Sequence, residues 1–456
     1  MKAWAEVVFY TLLILLPVNI SKHFFTDSSF VHGILVDYYL PTIYLTDLLI
    51  VFILMTWAVE LVTVLRPIFH FTLRSVFSGQ MSGLYLFLFL FIVWAGISIF
   101  GAQDKTVAVY RLTRFLLYVF LALWMKTHLK LPRDFGKIRW SLLIGVFIES
   151  FLAIFQWGKG GTVFGFYFLG EPSFNGLMAG IARTGFLGES HSRAYGTFPH
   201  PNILGAYLAL FLPWLLLPSD WRSRFLRVTA IVLCVAALFF SFSRTAWVAA
   251  AIGVLLYSLL TRPRIEAKVI SAARLSLISV FLVFFLMSGS LNDPLSLSRR
   301  VELTSISTQM IRSSPLLGVG FGNFILRMDD FGRVSGWIRF LQPVHNVFLL
   351  VGAETGIVGL TLFLLFFALL FYKLFLFFHR SLHLPAAVPI AGPTAGTLQL
   401  LLRRFNGEQQ LLTRLLLVNL FQLLILGLAD HFFLTTAQGL LLLWILVGLV
   451  FLQLSN

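Results

Sequence analysis

Charge is scarce in this chain. Of 456 residues, 12% are Asp, Glu, Lys or Arg, where a soluble domain carries about 25%. Acid is scarcer than base, with 19 acidic residues against 34 basic and a formal net charge of +15. Cysteine is nearly missing. The single Cys234 lies inside an apolar run, which excludes an intramolecular disulfide and disfavours thiolate chemistry there. No Cys/His spacing of the metal-ligand type occurs. Apolar residues are what the chain has in excess: 59% are hydrophobic, and the mean hydropathy is +0.90. A water-facing fold could not bury that much apolar surface, so the bilayer is the expected solvent. Lipid offers no partner to backbone polar groups, which leaves helices or a closed barrel as spanning structures. The apolar runs are continuous and not alternating, so the expectation is an all-α polytopic membrane protein.

Runs near 5–20, 42–65, 83–101, 107–125, 139–157, 200–217, 226–242, 244–260, 275–289, 356–378, 411–428 and 438–454 suit spans, giving about 12 transmembrane helices. The first follows one lysine and leads into bulky, polar "PVNISKHFF". It reads as a retained helix, not a cleaved signal. Basic residues cluster in alternate short loops: Arg66 and Arg74; Lys126 to Arg139; Arg222, Arg224 and Arg227; Arg262, Arg264, Lys268 and Arg274; Arg380, Arg403 and Arg404. The opposite loops hold Lys22 and Lys105. This asymmetry puts both termini in the cytoplasm. The positive charge is then a topology signal and an attraction to anionic lipid, not a sign of nucleic acid. The chain divides into N-terminal membrane helices over 1–157 and a second region over 158–456, which includes a large periplasmic loop at 290–345.

Two long segments, 158–199 and 290–344, fall on the outer side, and loops of that length usually carry function. The second holds Arg299, Arg300, Arg312, Arg327, Arg333 and Arg339 against Asp293, Glu302, Asp329 and Asp330. The excess of cations points to an anionic ligand. Arg299 and Arg300 open a periodic stretch where a phosphate could be clamped beside free N–H groups; the competing explanation is a solvated basic pair. Arg244, in "SFSRTAW", sits at a tight reversal at headgroup level. Arg111 and Arg114 share a helix face just below the outer surface, where intramembrane charge suggests function and snorkelling is the alternative. "GVGFGNF" is a turn: no strand precedes it, as a dinucleotide loop requires. Asp329 and Asp330 lack a third acidic ligand at a motif spacing, so no metal is expected. His345 opens "HNVFLLVGAETGIVG" at the membrane surface. An imidazole suits a general base near neutral pH; the competing role is capping a helix together with Asn346.

These pieces resemble one family. His345-Asn346 followed by Gly356 and Gly359 is similar to the hallmark of the O-antigen ligase and polymerase superfamily. "RAYGTFPHPNILGAYLALFLP", which begins at Arg193, "SFSRTAW", the arginine ahead of "PLLGVGFGNF", and "DHFFLTTAQGLLLLWILVG" are similar to it too, covering roughly Arg193 to Gly448. The resemblance implies a C-type glycosyltransferase-like fold in the bacterial inner membrane. It implies transfer of a glycan from undecaprenyl diphosphate to an acceptor hydroxyl, lipid A-core or similar, at the periplasmic face. His345 would be the base. Arg244, Arg300, Arg299, Arg193, Arg111 and Arg114 would hold the diphosphate, with Asn346, Gly356 and Gly359 in support. No cofactor and no metal are implied, since arginines can offset the leaving group's charge. The family's Arg-x-x-x-Leu motif selects Arg299, with Leu303, whereas the usual distance to the Pro-Leu-x-Gly segment selects Arg300, and Arg300 is preferred. A repeat-unit polymerase is the rival within the superfamily, and a lipid-linked glycan transporter the rival outside it. Transporters place their polar groups near the midplane, whereas these cluster at the outer surface.

Overall fold

The computed structural model describes residues 2–64, 81–131, 133–176, 178, 180–186, 189–217, 221–261, 278–280, 282, 294–336, 339–382 and 395–455. Helices dominate: α1 (Lys2–Ile14), α2 (Leu45–Val64), α3 (Ser82–Ser98), α4 (Lys105–His128), α5 (Phe135–Lys159), α6 (Pro201–Leu215), α7 (Trp221–Phe240), α8 (Arg244–Leu260), α9 (Pro294–Ser313), α10 (Phe324–Arg327), α11 (Val347–Leu382), α12 (Ala395–Ala429), α13 (Phe432–Thr435) and α14 (Ala437–Ser455). Seven helices among the described residues are long and apolar enough to cross a membrane: α2, α3, α4, α5, α11, the Gly407–Ala429 part of α12, and α14. Apolar stretches in α6, α7 and α8 are shorter, and α1 has 13 residues. The described residues therefore provide seven helices of spanning length. Most of the expected span at 275–289 lies outside the described residues, as do Arg66, Arg74, Arg262, Arg264, Lys268, Arg274 and Asp293.

Local chemistry explains where the helices start and stop. Asp104 caps α4, its carboxylate accepting from the Thr106 and Val107 backbone N–H groups, and Lys126 and His128 occupy the last turn, where cations favour the dipole. Gly160, at φ 71°, ends α5. Pro201 begins α6 behind a His200 cap, since a first-turn proline gives up no helical hydrogen bond. The α14 helix is buried along almost its whole length and packs on α4, with Trp444 edge-on to Phe115 at 5.2 Å. It forms the interior post of the bundle.

Three short hairpins accompany the helices. Between α1 and α2, Ser21–His23 pairs with Thr42–Tyr44, and Phe30–Val31 with Ile34–Leu35; between α5 and α6, Arg183–Phe186 pairs with Glu189–Ser192. These hairpins lie at the end of the bundle that carries Lys159, Pro201 and Ala429, the upper end below.

The α11 helix is broken. Gly356 has φ 69° and ψ −175° inside it, a conformation open essentially to glycine alone. The Phe348 ring lies 6.4 Å from the Phe363 ring, although 15 residues of straight helix would separate them by about 22 Å. Residues 347–355 therefore fold back over the start of the long helix. The Pro315–Gly320 turn docks into the break. Ile357 N–H donates to the Pro315 carbonyl at 2.7 Å, Val319 N–H to Ala353 at 2.8 Å, and Gly320 N–H to Glu354 at 3.1 Å. Trp94 Nε1 donates to the Thr355 carbonyl at 2.9 Å. The carbonyls orphaned at the end of the short helix are thus satisfied by protein.

Candidate active site

A cavity of about 670 Å³ opens at the upper end. Arg183, Arg193, Arg244, Arg299, Arg300 and His345 line it, and no acidic residue does among the described residues. Four elements supply these groups: the Arg183–Ser192 hairpin with the segment after it, the α8 start, the early turns of α9, and the residues before α11.

Arg193 is fixed from two sides. Its Nε donates to the Ser241 carbonyl at 2.7 Å and its Nη2 to Asn202 Oδ1 at 2.7 Å. Burial, with Arg300 and Arg244 adding repulsion, lowers its pKa to about 10, so it stays charged at neutral pH. Arg300 donates from Nη1 to the Ala429 carbonyl at 3.0 Å. Arg299 donates to the Ser335 carbonyl at 3.4 Å and lies over the Phe340 ring, 4.6 Å from its centroid. None of these three forms an ion pair among the described residues. Like charges gathered in one cavity repel, and an anion entering it relieves that repulsion.

His345 lines the same cavity, and its Nδ1 is buried without a hydrogen-bond partner among the described residues. The helix cap beside it is made by Asn346, whose Oδ1 accepts from Phe348 N–H at 2.9 Å and Leu349 N–H at 3.0 Å. The Asn346 amide also donates to the Leu428 carbonyl at 3.1 Å. Capping and proton chemistry are thereby separable between neighbours. Burial holds the His345 pKa below its ordinary 6.5; Arg300 pushes the same way, and Asp430 opposes them. The ring is therefore neutral at pH 7, the form a base needs.

Asp430 stands behind the lining residue Asn202. It accepts from Asn202 Nδ2 at 3.0 Å and from His431 N–H at 2.8 Å. Burial alone would raise its carboxyl, but the surrounding imidazoles of His431, His345 and His200, with the Asn202 bond, prevail and hold it below the usual carboxylate range. His431 packs edge-on to His345 at 5.1 Å, and its Nδ1 meets Thr435 Oγ1 at 2.7 Å. Burial pushes the His431 and His200 imidazoles down to about 3, so both are neutral.

Sequence reasoning did not single out Asp430, His431, His200, Asn202 or Arg183. The first four stood inside strings that resemble the family, and that was their signal. Arg183 had none. Arg111 and Arg114 lie outside the cavity. They line a separate space of about 40 Å³. Arg111 donates to the Leu434 carbonyl at 2.9 Å and to Tyr38 at 3.4 Å; Arg114 is held by Asp47, Tyr118, Tyr110 and the Thr42 carbonyl. Tyr38 in turn meets the His431 ring at 5.4 Å, so Arg111 stands behind that wall. Asp329 is engaged by His32 and Arg339, and Asp330 by Arg327. Gly356 and Gly359 shape the helix break, away from the cavity lining. An apolar groove of about 410 Å³ begins beside the site at Val347, Phe348, Gly427 and Phe433 and continues between α11 and α12.

No curated protein matches the chain. Residues 229–364, which include Arg244, Arg299, Arg300, His345, Asn346, Gly356 and Gly359, match the family described as O-Antigen ligase.

Proposed function

We propose that the protein transfers a glycan from undecaprenyl diphosphate to an acceptor hydroxyl at the periplasmic face of the inner membrane, in the manner of an O-antigen ligase. One observation carries the reading: a single cavity holds five arginines beside a neutral, buried imidazole with an unpartnered nitrogen. Arg193, Arg244, Arg299 and Arg300 bind the diphosphate. His345 takes the proton of the acceptor hydroxyl as its oxygen attacks the anomeric carbon. The bond between that carbon and the phosphate oxygen breaks, and undecaprenyl diphosphate leaves with its new negative charge held by the guanidiniums. The polyprenyl chain follows the apolar groove that begins at Val347 and Phe348. Both termini are cytoplasmic in this reading.

Purified protein in detergent tests it. Lipid-linked glycan donor is incubated with lipid A-core, or with a second lipid-linked glycan, in excess chelator. Transfer to lipid A-core is the expected result. Chain growth on the second lipid identifies a polymerase. Activity that vanishes with chelator and returns with magnesium or manganese contradicts the role given to the arginines. No product with either acceptor, beside glycan movement across sealed vesicles, identifies a transporter.

A further inference from the structure

The segment from Val163 to Phe168 reads "VFGFYF" and turns its aromatic rings outward. Tyr167 is 98% exposed, and Phe164, Phe166 and Phe168 are all exposed too. A mobile loop would collapse such rings onto the protein, but this one is held open. Glu171, wholly buried, accepts from the backbone N–H groups of Val163, Phe164 and Gly165, each at 2.7 Å. Gln156, on the last turn of α5, donates to the same carboxylate at 2.9 Å. The Phe164 and Phe168 rings pack 4.5 Å apart. A buried carboxylate with four donors is a costly device for a loop that merely connects two elements.

The neighbouring helix indicates what covers the rings. The α5 helix is a spanning candidate, and Phe147, Phe151 and Phe155, four residues apart, form one exposed stripe on it. Gln156 and Glu171 fasten the aromatic loop to the top of that stripe. Apolar rings at the end of a lipid-facing helix belong at the boundary between headgroups and acyl chains. We propose that residues 163–168 are a fixed wedge that inserts into the leaflet at the upper end of the bundle. The wedge sets the depth of the segment that carries Arg183 and Arg193. That segment is joined to it by the Gly161–Asn175 bridge and by Thr162, whose N–H donates to the Phe174 carbonyl at 2.9 Å. The guanidiniums are then held at the level of lipid phosphates, whatever glycan those phosphates bear.

A spin label tests the wedge. Cys234 is buried, so it can stay or be replaced by alanine, and both backgrounds serve. Tyr167→Cys and Glu189→Cys variants are labelled and reconstituted at low density in phosphatidylethanolamine–phosphatidylglycerol vesicles. Collision with oxygen, which partitions into lipid, is compared with collision with a water-soluble nickel chelate. The label at 167 is expected to favour oxygen several-fold more than the label at 189, whose carboxylate side chain is 81% exposed in the same segment. Equal preference for the nickel chelate at the two positions overturns the proposal. Shielding at 167 that disappears when the lipid-to-protein ratio is raised also overturns it, because a second copy and not lipid then covers the rings.

Discussion

Replacing His345 by alanine separates proton transfer from donor binding. In the proposed mechanism the substitution removes the base and leaves the guanidiniums in place, since Arg193 is held by Ser241 and Asn202 and Arg300 by Ala429. General-base catalysis contributes about 10²–10⁴-fold, or about 2.7–5.4 kcal/mol of barrier. The single-turnover rate should fall by that factor while donor affinity changes little. A pH profile adds a second readout. The imidazole works unprotonated, and burial with Arg300 lowers its pKa from 6.5. In the wild type the rate should be flat at neutral pH and fall only at pH below 6.5, with an acid limb that His345→Ala lacks. Donor affinity and single-turnover rate would be measured on both proteins across pH. A near wild-type rate in the variant, or an acid limb that survives the substitution, refutes the assignment of His345 as base.

Three further expectations accompany it. Arg300→Ala or Arg244→Ala should weaken donor binding as well as rate, by about ten- to a hundredfold for a contact of about 1.5–3 kcal/mol; titration of donor binding checks this, and lysine should rescue only in part because it lacks the planar fork. Asp430→Asn removes the charge that raises the His345 pKa, so the acid limb of the rate should move to still lower pH, and a shift upward would contradict the placement of Asp430. Gly356→Ala should destabilise the protein by about 1–3 kcal/mol from backbone strain alone, with more from a Cβ that would lie 2.1 Å from the Leu316 carbonyl oxygen. Gly359→Ala meets the Thr355 side chain, not backbone, and carries no positive-φ strain, so thermal unfolding should rank Gly356→Ala as the more damaging.

The helices around α3, α4, α5 and α14 were legible because long apolar runs have one solution in lipid. The site was partly legible, because arginine and histidine are conspicuous where charge is scarce. What could not be read has identifiable causes. The run after His345 looks like the top of one span, yet residues 347–355 are a separate helix. Only the fold-back at Gly356 decides this, and it depends on Pro315 and Leu316, some 40 residues earlier in the chain. Asp430 looks like an ordinary helix-end acid in sequence. Its meaning comes from Asn202, whose amide reaches it across 228 residues. Arg111 and Arg114 share the sequence signature of the cavity arginines and are placed apart from them by Tyr38, Asp47 and Tyr118.

The spacing from His345-Asn346 to Gly356 has a mechanical sense in this fold. The short helix at 347–355 is about 13 Å long, far less than the roughly 30 Å of a hydrocarbon core. An element that short cannot be fixed by lipid; protein must satisfy both of its ends. Asn346 does so at the start, and the Val319, Gly320 and Trp94 N–H groups do so at the finish. The turn that caps the finish directly follows α9, the helix whose first turns carry Arg299 and Arg300. A glycine at 356 therefore does more than bend a helix. By admitting the Pro315 turn, it links the element that presents the imidazole to the element that presents two guanidiniums. Their relative position is then set by backbone hydrogen bonds, not by side-chain packing against a fluid bilayer. The proposed transfer between two lipid-anchored substrates would draw on that rigidity, because neither substrate brings a fixed frame of its own.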